Sequence, residues 1–129
     1  METLLARVAL DRRDWAEASL WLRAALEHGG EAGELHTALA MVTLAAGKSP
    51  GSPRQAADHA RIACGISHGT DWRAWALVGL SAAAAGDWDK AAETLDRAAP
   101  LATDFAPDTL RHWRRTVRDR KLPEIWFAP

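Results

Sequence analysis

Apolar residues recur every three or four positions along most of the chain, which is the spacing of one helix face. Near the C-terminus, for example, Leu110, Trp113 and Val117 share a face, and most positions between them hold arginine. Glycine, proline and aspartate separate the periodic segments, and these residues commonly begin or end helices. The pattern predicts seven helices, over residues 2–11, 14–28, 33–46, 53–66, 71–85, 87–100 and 107–120.

Three stretches of the chain repeat one another, over residues 12–26, 51–64 and 85–99. The matched positions hold small or apolar residues: Ala18, Ala56 and Ala91, then Leu22, Ala60 and Leu95, then Ala25, Ala63 and Ala98. One helix earlier, three further sets match: Leu5, Leu39 and Val78, then Ala6, Ala40 and Gly79, then Ala9, Thr43 and Ala82. The offsets fit a unit of about 34 residues with extra residues in the loop Lys48–Gly51. Small residues let two helices approach closely, so each unit is predicted to be a pair of packed helices.

The third unit resembles the tetratricopeptide repeat through Trp75, Gly79, Ala82, the turn Gly86–Asp87–Trp88, Ala91, Leu95 and Ala98. The first unit is similar from Ala6 to Leu26. The second unit departs from the pattern, because Ala40 stands where glycine is usual and Pro53 replaces the aromatic residue of the turn. Its long loop resembles a variant of large bacterial repeat proteins.

The resemblance implies an all-α fold, a right-handed α-solenoid of three helix–turn–helix pairs closed by a capping helix over residues 107–120. The units then span about 1–32, 33–70 and 71–104. Such units cannot bury their apolar faces alone, so they stack, and about three are needed for stability. We expect one domain over residues 1–121, followed by an apolar tail over residues 122–129.

The amino-acid composition favours helices and argues against several classes of protein. Alanine, the best helix former, is abundant, and the formal net charge is −1. That balance argues against a general binder of nucleic acid or anionic membrane. The single cysteine excludes a disulfide framework within the chain. No signal-peptide pattern begins the sequence and no apolar run reaches the length of a membrane span, so we expect a cytoplasmic protein.

The search for chemical sites predicts none. The five histidines form no metal-spaced pair on one helix, and Cys64 has no CxxC partner. Phosphate-loop, dinucleotide and nucleophile-elbow motifs are absent from the sequence. Cys64 is expected to be a small buried hydrophobe rather than a nucleophile. We therefore expect no catalytic residue, metal, cofactor or small-molecule substrate.

The family resemblance implies a concave groove lined by the first helix of each unit. The corresponding candidate residues here are Arg7, Leu10, Thr37, Met41, Leu44, Arg73, Ala76 and Leu80. A clamp for a partner's C-terminal carboxylate is not expected, since the chain has no asparagine and Asp11 and Glu34 offset the two arginines. The apolar middle of the groove favours a partner's apolar helix or extended segment. In the alternative interpretation these residues pack against neighbouring helices, or the chain's own tail covers them.

The tryptophans and the charges offer a second function class, self-association in a structural role. Trp15, Trp75 and Trp88 occupy repeat packing positions, whereas Trp21, Trp72 and Trp126 do not and are candidates for an outer contact. Residues 107–129 carry a charge of +3 and residues 1–106 carry −4. The basic segment is interpreted first as the solvated face of the capping helix. It is also suited to the acidic body of another copy, and nucleic-acid binding is the third alternative.

Overall fold

A computed structural model describes residues 2–46, 52–102 and 107–123, and within them every regular element is helical. The seven α-helices are α1 (Glu2–Asp11), α2 (Trp15–Glu27), α3 (Ala32–Ala46), α4 (Ser52–Ile66), α5 (Trp72–Ala84), α6 (Trp88–Ala98) and α7 (Pro107–Arg118). A single 3₁₀ turn, Ala99–Leu101, follows α6. The predicted all-α class is confirmed, and each predicted helix matches an observed one to within two residues at either end.

Aspartates cap three of the helices at their N-termini. The carboxylates of Asp14, Asp71 and Asp87 accept hydrogen bonds from the backbone N–H groups of Glu17, Arg73 and Lys90, at 3.2, 3.0 and 3.3 Å. Each carboxylate satisfies a backbone donor that has no partner inside its helix. The predicted helices that began at these aspartates therefore begin one residue later, with the aspartate as the cap.

Glycine closes the turn between α5 and α6. Gly86 has a φ of +87°, in the left-handed region where a side chain is strained. The turn brings α6 back along α5, and the two helices come close because Gly79 has no side chain. A Cβ built there would lie 3.1 Å from Cγ of Leu95 and 3.2 Å from the carbonyl oxygen of Ala91.

Each helix packs against the next one along the chain, and α3 also packs against α5. All nine matched positions of the second helices, from Ala18 to Ala98, are buried. Of the nine matched positions of the first helices, five are buried: Ala6, Ala9, Leu39, Ala40 and Gly79. The other four are only partly buried: Leu5, Thr43, Val78 and Ala82. The predicted burial is therefore confirmed for the second helices and in part for the first. The apolar interior forms two clusters, one among α1, α2 and α3 and the other extending from α3 to α7.

Helix α7 covers the far end of the second cluster. Leu110, Trp113 and Val117 are buried on one face, as their spacing predicted. Beside this face, the Arg114 guanidinium contacts the Asp96 carboxylate of α6 through Nη2 at 2.7 Å and Nε at 2.9 Å. Apolar burial holds α7 against the cluster, and this two-nitrogen contact adds a charged contact between α7 and α6.

Trp75 and Trp88, at repeat packing positions, both pack against the second cluster. Both are partly buried there. The Trp75 indole N–H donates a hydrogen bond to the Gly69 carbonyl oxygen at 2.8 Å. This bond holds the ring at the α4–α5 turn.

Candidate protein-interaction surface

The predicted groove residues lie on three helices: Arg7 and Leu10 on α1, Thr37, Met41 and Leu44 on α3, and Arg73, Ala76 and Leu80 on α5. The structure brings four of them together, because Met41, Leu44, Ala76 and Leu80 belong to the second apolar cluster and Leu10 packs against it. Met41 is 5% exposed and Leu80 is fully buried. The direct packing of α3 on α5 accounts for this burial, and these four residues offer no open apolar floor.

The polar members of the predicted groove stay nearer the surface. Arg7 is exposed, and Thr37 and Arg73 are half-buried. The Thr37 hydroxyl donates a hydrogen bond to the Gly33 carbonyl oxygen at 2.9 Å, and the Arg73 guanidinium carbon lies 5.6 Å from the Trp72 ring centroid. Thr37 and Arg73 therefore already make contacts within the chain, and Arg7 is the member most accessible to a partner.

Three tryptophans were predicted as outer contacts, and for Trp72 this prediction is wrong. It is 6% exposed and belongs to the second apolar cluster, because α5 turns this side chain toward the interior at its first residue. Trp21 is half-buried on α2, and its indole N–H lies 3.4 Å from a carboxylate oxygen of Glu17. Trp126 lies outside the described residues, as does most of the predicted apolar tail.

Large apolar side chains are exposed elsewhere, at positions that the groove prediction left out. On α1, Leu4 is 62% exposed and Val8 is 41% exposed. With Arg7 and Asp11, both exposed, they occupy positions i, i+3, i+4 and i+7 of one helix face. We call these four residues the α1 stripe. Leu20 on α2, Ile62 and Ile66 on α4, and Leu122 are the other exposed large apolar residues.

A sequence signal for the α1 stripe was present. Ala6 and Ala9 were recognised as packing residues of α1, and both are buried. Leu4 and Val8 lie on a different face from these alanines, four residues apart. An apolar pair on the face away from the packing alanines is the pattern that identifies such a stripe.

Cys64 lies half-buried on α4. Its burial, and to a smaller extent the nearby Asp71 carboxylate, raise the pKa of the thiol. The thiol therefore stays protonated at neutral pH, and the thiolate is the nucleophilic form. This environment supports the interpretation of Cys64 as a packing residue.

A histidine contact joins α3 and α4, between His36 and His59. The search for paired histidines considered one helix at a time, so it missed two residues that are 23 positions apart. In the described part of the chain, no group of three histidine, cysteine, aspartate or glutamate side chains is placed to hold a metal ion. In the same part, no helix combines the length and the apolar character that a membrane crossing requires.

Comparison with known proteins gives no relative for this chain. No family model, no curated protein and no solved structure matches it. The arguments about function therefore rest on the sequence pattern and on the geometry described above.

Proposed function

We propose that this chain is a protein–protein interaction module that binds an apolar helix or peptide of a partner protein. The observation that carries the proposal is the α1 stripe, where Leu4 and Val8 present apolar surface beside the exposed charged residues Arg7 and Asp11. An exposed apolar pair next to charged residues is suited to the apolar face of a partner helix. Catalysis, a cofactor and a small-molecule substrate are not part of the proposal.

The arrangement we propose for the whole chain is a right-handed solenoid of three tetratricopeptide-like pairs, α1–α2, α3–α4 and α5–α6. Its support is the small or apolar residue buried at each of the nine matched positions of the second helices, and the packing of each helix on the next. Within such a solenoid the first helices line a common surface. The α1 stripe, which includes Arg7, then forms the accessible end of the groove. The interior beneath the groove contains the buried residues Met41, Leu44, Ala76 and Leu80.

The proposed partner is a protein, in the cytoplasm, rather than nucleic acid or membrane. The formal net charge of −1 supports this choice, because polyanion binders carry a basic excess. Within the stripe, the Arg7 and Asp11 side chains give the partner one complementary charge of each sign. Such rim charges affect the rate and specificity of binding more than its strength.

The test is the double variant Leu4→Glu with Val8→Glu, compared with Leu20→Glu as the matched control on α2. All three side chains are exposed, so we expect helical content to be unchanged and the unfolding free energy to shift by about 0.5 kcal/mol or less per site. Proteins retained by the immobilised chain from extracts of its native cells are identified by mass spectrometry. Each candidate is then purified and titrated against the three proteins.

We expect a purified partner that binds the wild type and the Leu20→Glu control equally and binds the double variant at least about tenfold more weakly, a loss of about 1.4 kcal/mol. Equal binding by all three proteins would contradict a role for the α1 stripe.

A second candidate function is self-association without a separate ligand. The observation that favours it is the charge division, with +3 on residues 107–129 and −4 on residues 1–106. Light scattering after size-exclusion chromatography distinguishes the two functions. A monomer over a range of concentrations favours the adaptor, and a discrete oligomer that dissociates in high salt favours self-association through opposite charges.

A further inference from the structure

Two imidazole rings meet across the α3–α4 pair. Nδ1 of His36 and Nδ1 of His59 are 2.9 Å apart, the ring centroids are 5.2 Å apart, and the ring planes are inclined by 31°. Both rings are half-buried. At this distance one Nδ1 carries a hydrogen and the other accepts it. The contact therefore requires at least one neutral ring.

The number of protons on the pair decides whether the contact survives. When both rings are neutral, one carries its hydrogen on Nδ1 and donates it, and the other carries its hydrogen on Nε2. A first added proton turns the donor into an imidazolium, which strengthens the hydrogen bond. A second added proton places a hydrogen on both Nδ1 atoms. The hydrogen bond is then lost, and two positive charges face each other.

The surrounding charges oppose the second proton. Burial is the first cause that lowers the pKa of His59, followed by His36 and by the Arg23 guanidinium of α2. The Asp58 carboxylate, on α4 itself, acts in the opposite direction. Helix α5 also packs on α4 and supplies none of the charges that act on His59.

Helices α3 and α4 pack closely at the histidine contact. Ala40 of α3 and Ala56 and Ala60 of α4 are fully buried, so the backbones approach closely beside the rings. At the end of the pair, a Cβ built on Gly33 would lie 3.3 Å from Cγ2 of Ile66. Two repelling rings therefore separate by swinging into solvent or by loosening the helix pair, and either change weakens the packing of α3 on α4.

We propose that the His36–His59 contact is a proton-operated latch between α3 and α4. The latch is closed while the pair holds at most one added proton, and it opens when both imidazoles are charged. Protons are the ligand because two imidazoles fall short of the three or four protein ligands typical of zinc sites, and the described residues supply no third ligand. The latch does not rest on the proposed function.

The direction of the pH effect follows from proton linkage. In the unfolded chain, His59 titrates near pH 6.5. In the folded chain His59 takes up its proton at a lower pH, so below about pH 6.5 the unfolded chain binds more protons than the folded one. The stabilisation is complete above this range and is lost as the pH falls through the folded pKa of His59.

The first experiment compares thermal melts at pH 7.5 and pH 5.5 for the wild type, His59→Gln and the control His112→Gln. His112 is exposed on α7 and is remote from the pair in sequence. We expect the melting temperature of the wild type and the control to fall by at least about 3 °C more than that of His59→Gln. The protonation of carboxylates affects all three proteins alike. An equal fall in all three would overturn the latch.

The second experiment needs no substitution in its main arm. An NMR titration of the imidazole Cε1–H signals in the wild type is expected to give a His59 midpoint below 6.5. In His36→Gln, the His59 midpoint is expected to move up toward 6.5. A His59 midpoint near 6.5 in the wild type would overturn the latch, even if His36→Gln does not fold.

Discussion

At the scale of single residues, small side chains set the distances between helices. Ala91 is fully buried on α6, and its carbonyl oxygen lies where any side chain on Gly79 would extend. The alanine methyl group fills the available space. Branched side chains at this position have to displace α5 or adopt strained rotamers.

We therefore expect Ala91→Leu to lower the unfolding free energy by about 1–3 kcal/mol, measured by urea denaturation. Ala16→Leu is the matched control, because Ala16 is exposed on α2. The control should change the unfolding free energy by about 0.5 kcal/mol or less. If Ala91→Leu were as stable as the wild type, the close approach of α5 and α6 at this position would be wrong.

At the scale of helices, α7 shows how one amphipathic element closes the second cluster. Its buried face is made of three residues, of which Trp113 is the largest and is 2% exposed. Arginines flank this face, and Asp96 of α6 contacts two of them, Arg114 and Arg118. The charged contacts are partly exposed and contribute little to stability, so burial of the apolar face is the main force that holds α7.

Removing the Trp113 side chain is accordingly expected to cost about 3–5 kcal/mol of unfolding free energy. Arg111→Ala is the control on the same helix, where the ion pair with Asp108 is exposed, and it should cost about 0.5 kcal/mol or less. Chemical denaturation followed by circular dichroism gives both values. A loss for Trp113→Ala as small as that for the control would mean that α7 does not cap the cluster.

At the scale of the whole molecule, the apolar tail predicted over residues 122–129 is the segment whose contacts bear on association. The two described residues of this segment differ in exposure: Leu122 is 46% exposed, whereas Pro123 is buried. The proline shows that the chain packs against the protein at that point. The following residues Ile125, Trp126 and Phe127 lie outside the described part. Three large apolar residues in a row favour association when they are exposed to water.

Deleting residues 122–129 should therefore change the solubility or the oligomeric state, measured by light scattering after size-exclusion chromatography. A full-length variant with serine in place of Ile125, Trp126 and Phe127 separates apolar character from length. We expect it to behave as the deletion does. Wild-type association and stability in both variants would show that the tail is passive.

The sequence by itself determined the elements of this protein. Local sequence accounts for the helix bounds, the aspartate caps and the apolar face of each helix. Each of these features depends on residues that lie a few positions apart, within one helix or one turn. The repeat of small residues also indicated which faces pack, and all nine matched positions of the second helices are buried. For the same reason the Leu4–Val8 pair was readable in the sequence, since it lies on one helix.

Tertiary structure decided which of these faces stay open. Met41 and Leu80 look like a groove floor on their own helices, but α3 packs on α5 and buries both. Trp72 is buried for the same kind of reason, because its surroundings come from other helices. His36 and His59 meet only because α3 and α4 pair closely. Periodicity within one helix indicates an apolar face, but the helix that covers this face, and the side chains that meet there, depend on residues distant along the chain.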